Sequence, residues 1–259
     1  MTSQSPMSPT DQADGLRRMF AGSSVRFVAV ASNPHVAFAG VLLERLCAAC
    51  TELGRRVLVV DAADTSPAPR ELAILELAGC IEQLSEDVSY LAARGLPLRH
   101  VDARGSTSAF LDAVASAAPE ADVVIVHAGA SELSRLFARR APRPRLLAAD
   151  HPASVTHAYA SMKLLVQRNA LMVFDLLLAA AAQSPRRDRI AAQLAGCADS
   201  FLHAVLHGWA AVDPACRPDD APPRALVQLV RELLGAGDEL PLPAAWTLSN
   251  AAAPRAAAH

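Results

Sequence analysis

The sequence predicts a single doubly wound α/β domain, a mostly parallel sheet flanked by helices, and three observations carry that reading. Val25–Ala31 and Ala121–Val126 are short, almost continuous apolar runs, as expected of strands buried on both faces. Between Val25 and Asp64 a strand, a helix and a second strand follow so closely that the two strands must run parallel through a right-handed crossover. Strand-like and helix-like segments then alternate along the remaining chain, with no internal repeat.

The opening unit sets the pattern. From Val36 to Leu53 apolar residues recur at Ala39, Leu42, Leu43, Leu46, Cys50 and Leu53, a helical period closed by Gly54. Arg55 and Arg56 lead into the strand Val57–Val60, which ends at Asp61. Later helices are expected at Glu71–Leu84, Ser108–Ala118, Ser131–Arg140, Ser154–Gln167 (capped by Ser154), Asp188–Leu202 and Arg224–Leu234. Strands are expected at Leu98–Asp102, Arg145–Ala149, Leu171–Leu178 and Val205–Val212, with a buried helix competing for Leu171–Leu178. The domain thus spans 25–234, between an N-terminal arm (1–24) and an Ala/Pro-rich tail (235–259). Met1–Thr10 is expected to be flexible, and Asp11–Phe20 reads as a short helix with a narrow stripe of Ala13, Leu16, Met19 and Phe20.

The chain has 259 residues, a net charge of -2 and 52% hydrophobic residues. No global field recruits nucleic acid, and a polar N-terminus with no long apolar span points to a cytoplasmic setting. The only lysine is Lys163, so no phosphate-binding lysine stands in another loop. Cys47 and Cys50 lie within one helix and lack a second pair, which favours reduced thiols over a zinc site.

In nucleotide-binding α/β proteins the turn after the first strand cradles phosphate with backbone N–H groups, and glycines let the chain approach closely. Here that turn is Ser32-Asn33-Pro34-His35-Val36-Ala37-Phe38-Ala39-Gly40, with no lysine, no glycine before Gly40, and a proline that lacks a donor. The architecture suggests a phosphate loop and the residues contradict it.

Four segments together resemble the MinD/ParA family of deviant-Walker P-loop ATPases, and more narrowly its flagellar FlhG/FleN branch. They are the opening unit from Ser32 to Asp61, Ala121–Gly129 at the Walker B strand, Asp150–Tyr159, which is similar to PEPTSxTDAY, and Asp11–Arg17, which fits DQAxxLR. The resemblance implies ATP with magnesium as the family cofactor. In its register Pro34 and Ala39 stand where the two lysines belong, and Gly40 where the magnesium-binding hydroxyl belongs. His35, Val36 and Phe38 stand at glycine positions, where side chains are expected to obstruct the cradle. Asp61 is kept, but Ala63 replaces the water-activating Asp, with Asp64 one residue late. His127 replaces the Walker B Asp, and Ala179 an adenine-contacting Asn. The nucleotide site therefore reads as vestigial, and the chain as a pseudo-ATPase that binds no cofactor and no metal.

The leading segment has not decayed in this way. The resemblance implies that Asp11, Gln12, Ala13, Leu16, Arg17 and Phe20 engage an FlhF-like signal-recognition-type GTPase and stimulate it, Gln12 helping to place the attacking water. It also implies flagellar switch-complex proteins or a flagellar transcription regulator as partners, and recruitment to the cell pole or inner membrane face. Two alternatives stay open: a weak, unconventional ATPase using Asn33, His35 and a helix N-terminus, or a MinD-like scaffold in cell-pole or chromosome positioning. Elsewhere His127 reads as a hydrogen-bonded core histidine rather than a base, and His203/His207 as a pair without a third metal ligand. Arg139, Arg140, Arg143 and Arg145 read as a solvated rim, and Arg224–Leu234 as a packed helix rather than a membrane anchor.

Overall fold

The computed structural model describes residues 25–181 and 183–235. The predicted helix at Asp11–Phe20 and the tail beyond Gly235 lie outside the described residues. In chain order the elements are β1 (Arg26–Ala31), α1 (Ala39–Glu52), β2 (Val57–Asp61), β3 (Glu82–Gln83), β4 (Val88–Ala92), α2 (Ala109–Ala117) and β5 (Val123–Ala128). They continue with α3 (Ala130–Leu136), β6 (Arg145–Ala149), α4 (Pro152–Asn169), β7 (Val173–Ala179), α5 (Arg187–Cys197), β8 (Val205–Val212) and α6 (Arg224–Gly235).

The strands form one eight-stranded sheet in the order β3-β4-β2-β5-β1-β6-β7-β8. All neighbours pair in parallel except β3 with β4. Side-chain alternation along β1 divides the core. Phe27, Ala29 and Ala31 face a layer built from α2, α3, α4 and α5, whereas Val28 and Val30 face α1 and α6. Strand order reverses around β1, so the carboxyl ends of β1, β2 and β5 open a crevice at the switch point.

The expected ending of α1 is found: Gly54 sits at φ 70°, its N–H donates to the Thr51 carbonyl, and the Arg55 N–H reaches back to Cys50. This pair of bonds satisfies carbonyls that the helix leaves open. Leu42, Leu43, Leu46, Cys47 and Cys50 are the buried stripe. Burial pushes both thiols far above their ordinary range, Cys50 to about 12, which fits inert core thiols.

Several expectations need correction. Glu71–Leu84 is not an α-helix but two 3₁₀ turns, Glu71–Ile74 and Ala78–Cys80, followed by β3. Its leucine stripe does not face the core: Leu75 is 87% exposed, and Ala73 and Cys80 are buried instead. Leu98–Asp102 is not a strand; Pro97–His100 forms a 3₁₀ turn, and the strand of this region is β4. Ser154 does not cap its helix, which begins at Pro152, a residue suited to a first turn that needs no N–H partner. Leu171–Leu178 is resolved in favour of a strand, β7. The apolar face of α6 (Leu226, Val227, Leu229, Val230, Leu233) is buried in the domain, and no described helix is long and apolar enough to cross a membrane.

Candidate functional site

The crevice is a cleft of about 640 Å³. The turn after β1 forms one wall, Asp61 and His127 lie at the ends of β2 and β5 with Asp64 in the turn after β2, and His157 and Leu164 of α4 close the far side. The structure therefore gathers around one cleft most of the turn Ser32–Gly40 together with Asp61 and His127, whereas Asp11, Gln12, Ala13, Leu16, Arg17 and Phe20 lie outside the described residues.

Asn33 organises the turn. Its buried amide nitrogen donates to the Leu147 carbonyl (2.8 Å), the Ser154 carbonyl (2.9 Å) and Ser154 Oγ (3.1 Å). Ser154 Oγ also accepts the Ala149 N–H at 2.8 Å, so the turn, the end of β6 and the start of α4 are tied together. Asn33 Oδ1 accepts the His35 N–H at 3.0 Å, and its carbonyl accepts the Val36 N–H at 3.0 Å. The Ala39 N–H in turn donates to the Val36 carbonyl at 3.3 Å. Thus the backbone donors of His35, Val36 and Ala39, which a phosphate loop points at its anion, are closed into successive tight turns.

The expected obstruction of the cradle is corrected in part. Val36 is buried and lines the cleft, but His35 and Phe38 are absent from its walls, and Phe38 is 58% exposed. The Asn33 amide is consumed within the fold, which removes the ligand role considered for it. His35 instead packs its ring edge-on to His157, with centroids 5.8 Å apart. Burial, then the neighbouring His35, holds His157 below the ordinary histidine range.

Across the cleft floor His127 Nδ1 lies 2.8 Å from Asp61 Oδ1, and the Tyr90 hydroxyl donates to Asp61 Oδ2 at 3.3 Å. Burial opposes ionisation of Asp61, but its hydrogen bonds, that from His127 foremost, outweigh it and hold the carboxyl below its ordinary range. An ionised Asp61 requires the proton on His127 Nδ1. The core-histidine reading holds for that nitrogen; Nε2 has no hydrogen-bond partner among the described residues. Ala63 is buried and Asp64 is exposed, as the one-residue offset requires.

Sequence reasoning missed Glu132, in the first turn of α3. Burial and then the charge of Asp64 push its carboxyl up to about 7. Only proximity in the fold signals this, because the two acids are far apart in the chain. The arginine rim also needs correction: Arg145 is fully buried and faces the buried Asp175 at 3.3 Å, with Arg143 at 3.7 Å from the same carboxylate. His203 and His207 do not share a helix. His203 takes a left-handed φ of 52° before β8, while His207 lies within β8, 3.4 Å from Asp175. No group of three or more potential metal ligands is found among the described residues.

A magnesium–triphosphate does not fit these residues. The described lining of the cleft carries no lysine or arginine, the N–H groups of His35, Val36 and Ala39 are bonded within the turn, and Gly40 supplies no hydroxyl.

No family model matches the sequence, and no curated protein does. Solved structures do match in shape. The MinD cell division protein of Aquifex aeolicus superposes with a TM-score of 0.54 at 14% identity, over 84% of this chain and 99% of that one. The septum site-determining protein MinD of Pyrococcus horikoshii, complexed with Mg-ADP, gives 0.50 at 16% identity, over 80% and 95%. Cobyrinic acid a,c-diamide synthase of Mycobacterium smegmatis, with bound ATP analogue and magnesium, gives 0.54 at 18%, over 84% and 98%. The architecture is therefore the MinD/ParA-type P-loop NTPase fold, in one domain.

Proposed function

We propose that this chain is a non-hydrolysing regulator of flagellar number or placement, similar to FlhG/FleN, which acts on an FlhF-like GTPase through Asp11–Phe20. The observation that carries the first half is the closed turn: the His35, Val36 and Ala39 N–H groups are bonded to Asn33 and Val36 instead of pointing at an anion. Each charge-assisted contact forfeited at such a site is worth about 1.5–3 kcal/mol, and phosphoryl transfer depends on several at once. The second half rests on the DQAxxLR resemblance at Asp11–Arg17, where Gln12 would place the attacking water in the partner's site. Without a lysine to reach across a dimer, assembly is independent of ATP.

The test is GTP turnover by the partner GTPase with the wild-type chain and with Gln12→Ala. Stimulation by the first and its loss in the second is expected. Equal stimulation by both removes the role of Gln12, and no stimulation by either removes the flagellar reading.

A further inference from the structure

Among the described residues only α1 and α6 cover the sheet face opposite α2–α5, and they pack beside one another. A doubly wound sheet needs helices on both faces. Beyond α1, over β2 and β4, the sheet instead opens into a groove of about 740 Å³. Its wall is one side of α1: Leu43, Cys47, Ala48 and Thr51, spaced at helical intervals. Its floor is Val59, Val88 and Tyr90, and at its lower end Leu84 is 62% exposed. Glu44, Glu86 and Asp87 form the rim. Glu44 pairs with Arg45, but no described side chain pairs with Glu86 or Asp87. This is a mainly apolar slot beside α1 with an acidic edge.

We propose that the occupant is the chain's own segment Asp11–Phe20. With its apolar stripe, Ala13, Leu16, Met19 and Phe20, on the floor, Arg17 stands at the edge of the stripe, where it matches the acidic rim of Glu86 and Asp87. Length agrees as well. A ten-residue helix spans about 15 Å, and the α1 wall from Gly40 to Thr51 about 17 Å. The connection also reaches. Val25 leads into β1 at the same end of the sheet as Leu84–Val88. At about 4.8 Å per strand the groove lies roughly 12 Å sideways and about 10 Å above the sheet. The stretch from Phe20 to Val25 extends to about 17 Å, enough to span that distance. The tail beyond Gly235 fits less well: Pro241 and Pro243 interrupt a helix, and its only arginine is Arg255. Docking hides Leu16 and Phe20, so a partner GTPase has to compete for the segment. That regulatory consequence rests on the function proposed above; the docking does not.

Hydrogen–deuterium exchange on the full-length chain, with no GTPase present, tests it. Amides of residues 11–20 are expected to exchange at least ten-fold more slowly in the wild type than in Leu84→Glu, an exposed position, or Ala48→Glu. Reversing Arg17 (Arg17→Glu) should abolish the protection, and adding Glu86→Arg with Asp87→Arg should restore it. Unprotected amides in the wild type, protection that survives both groove substitutions, or no restoration by the reversed rim overturns the proposal. A chain that stimulates the GTPase yet shows no protection loses the docking and keeps the function.

Discussion

His127 and Asp61 are register partners on adjacent parallel strands, and their side chains meet at 2.8 Å beneath the cleft. The acid–imidazole pair ties the ends of β2 and β5 to each other.

The pair makes a stability prediction with a definite sign. The folded-state value of Asp61 lies below its ordinary 3.8, so its contribution is present above that pH and is lost as pH falls through the folded value. His127→Ala leaves Asp61 without its main hydrogen bond and should cost about 1.5–3 kcal/mol at neutral pH. Urea denaturation across pH 2–7 reads both the loss and its disappearance in acid. A change below about 0.5 kcal/mol at neutral pH shows that the pair is immaterial.

Glu132 works in the opposite direction. Its folded value of about 7 exceeds the ordinary 4.5, so the native state prefers the protonated acid and stability declines as pH rises between those values. Glu132→Gln should flatten that decline and stabilise the domain at neutral pH by on the order of 1 kcal/mol, allowing for partial exposure. Thermal melts of both proteins at pH 5 and pH 8 check it. The difference between the proteins should be smaller at pH 5, and an equal offset at both contradicts the cause given.

Arg145 and Asp175 are both buried, with Asp175 fully so. Arg145→Leu leaves a buried carboxylate short of its nearest cation and should cost about 3–5 kcal/mol. Arg145→Leu with Asp175→Leu should cost less than Arg145→Leu alone, since no unpaired charge remains. Chemical denaturation of these two variants and of Asp175→Leu decides it; additive losses contradict a coupled pair.

These sites divide what the sequence exposes from what it hides. Central strands were legible because burial on both faces leaves near-continuous apolar runs, as at Val123–Ala128 and Arg145–Ala149. The edge strand Val88–Ala92 was not, because its half-buried residues give no such run. Glu71–Leu84 has helical spacing, but Leu72, Leu75 and Leu84 face solvent, so the local pattern had little tertiary support. That the turn after β1 lacks lysine, and glycine before Gly40, could be read directly. The closure of its backbone around Asn33 could not, since it depends on Leu147 and Ser154, more than a hundred positions away.

That closure predicts the outcome of a graft. Pro34→Lys, Ala39→Lys and Gly40→Thr together restore the charges and hydroxyl of the family pattern but leave Asn33 holding the turn shut. Calorimetry with Mg-ATP should detect no binding to this triple variant. Micromolar binding would mean that residue types, and not backbone geometry, decide the site.

The most direct measurement is Mg-ATP titration and turnover with the purified full-length chain. A closed turn and a cleft whose described lining holds no lysine or arginine predict no saturable binding and no phosphate release above that of a mock purification. Saturable, magnesium-dependent hydrolysis contradicts the pseudo-ATPase reading.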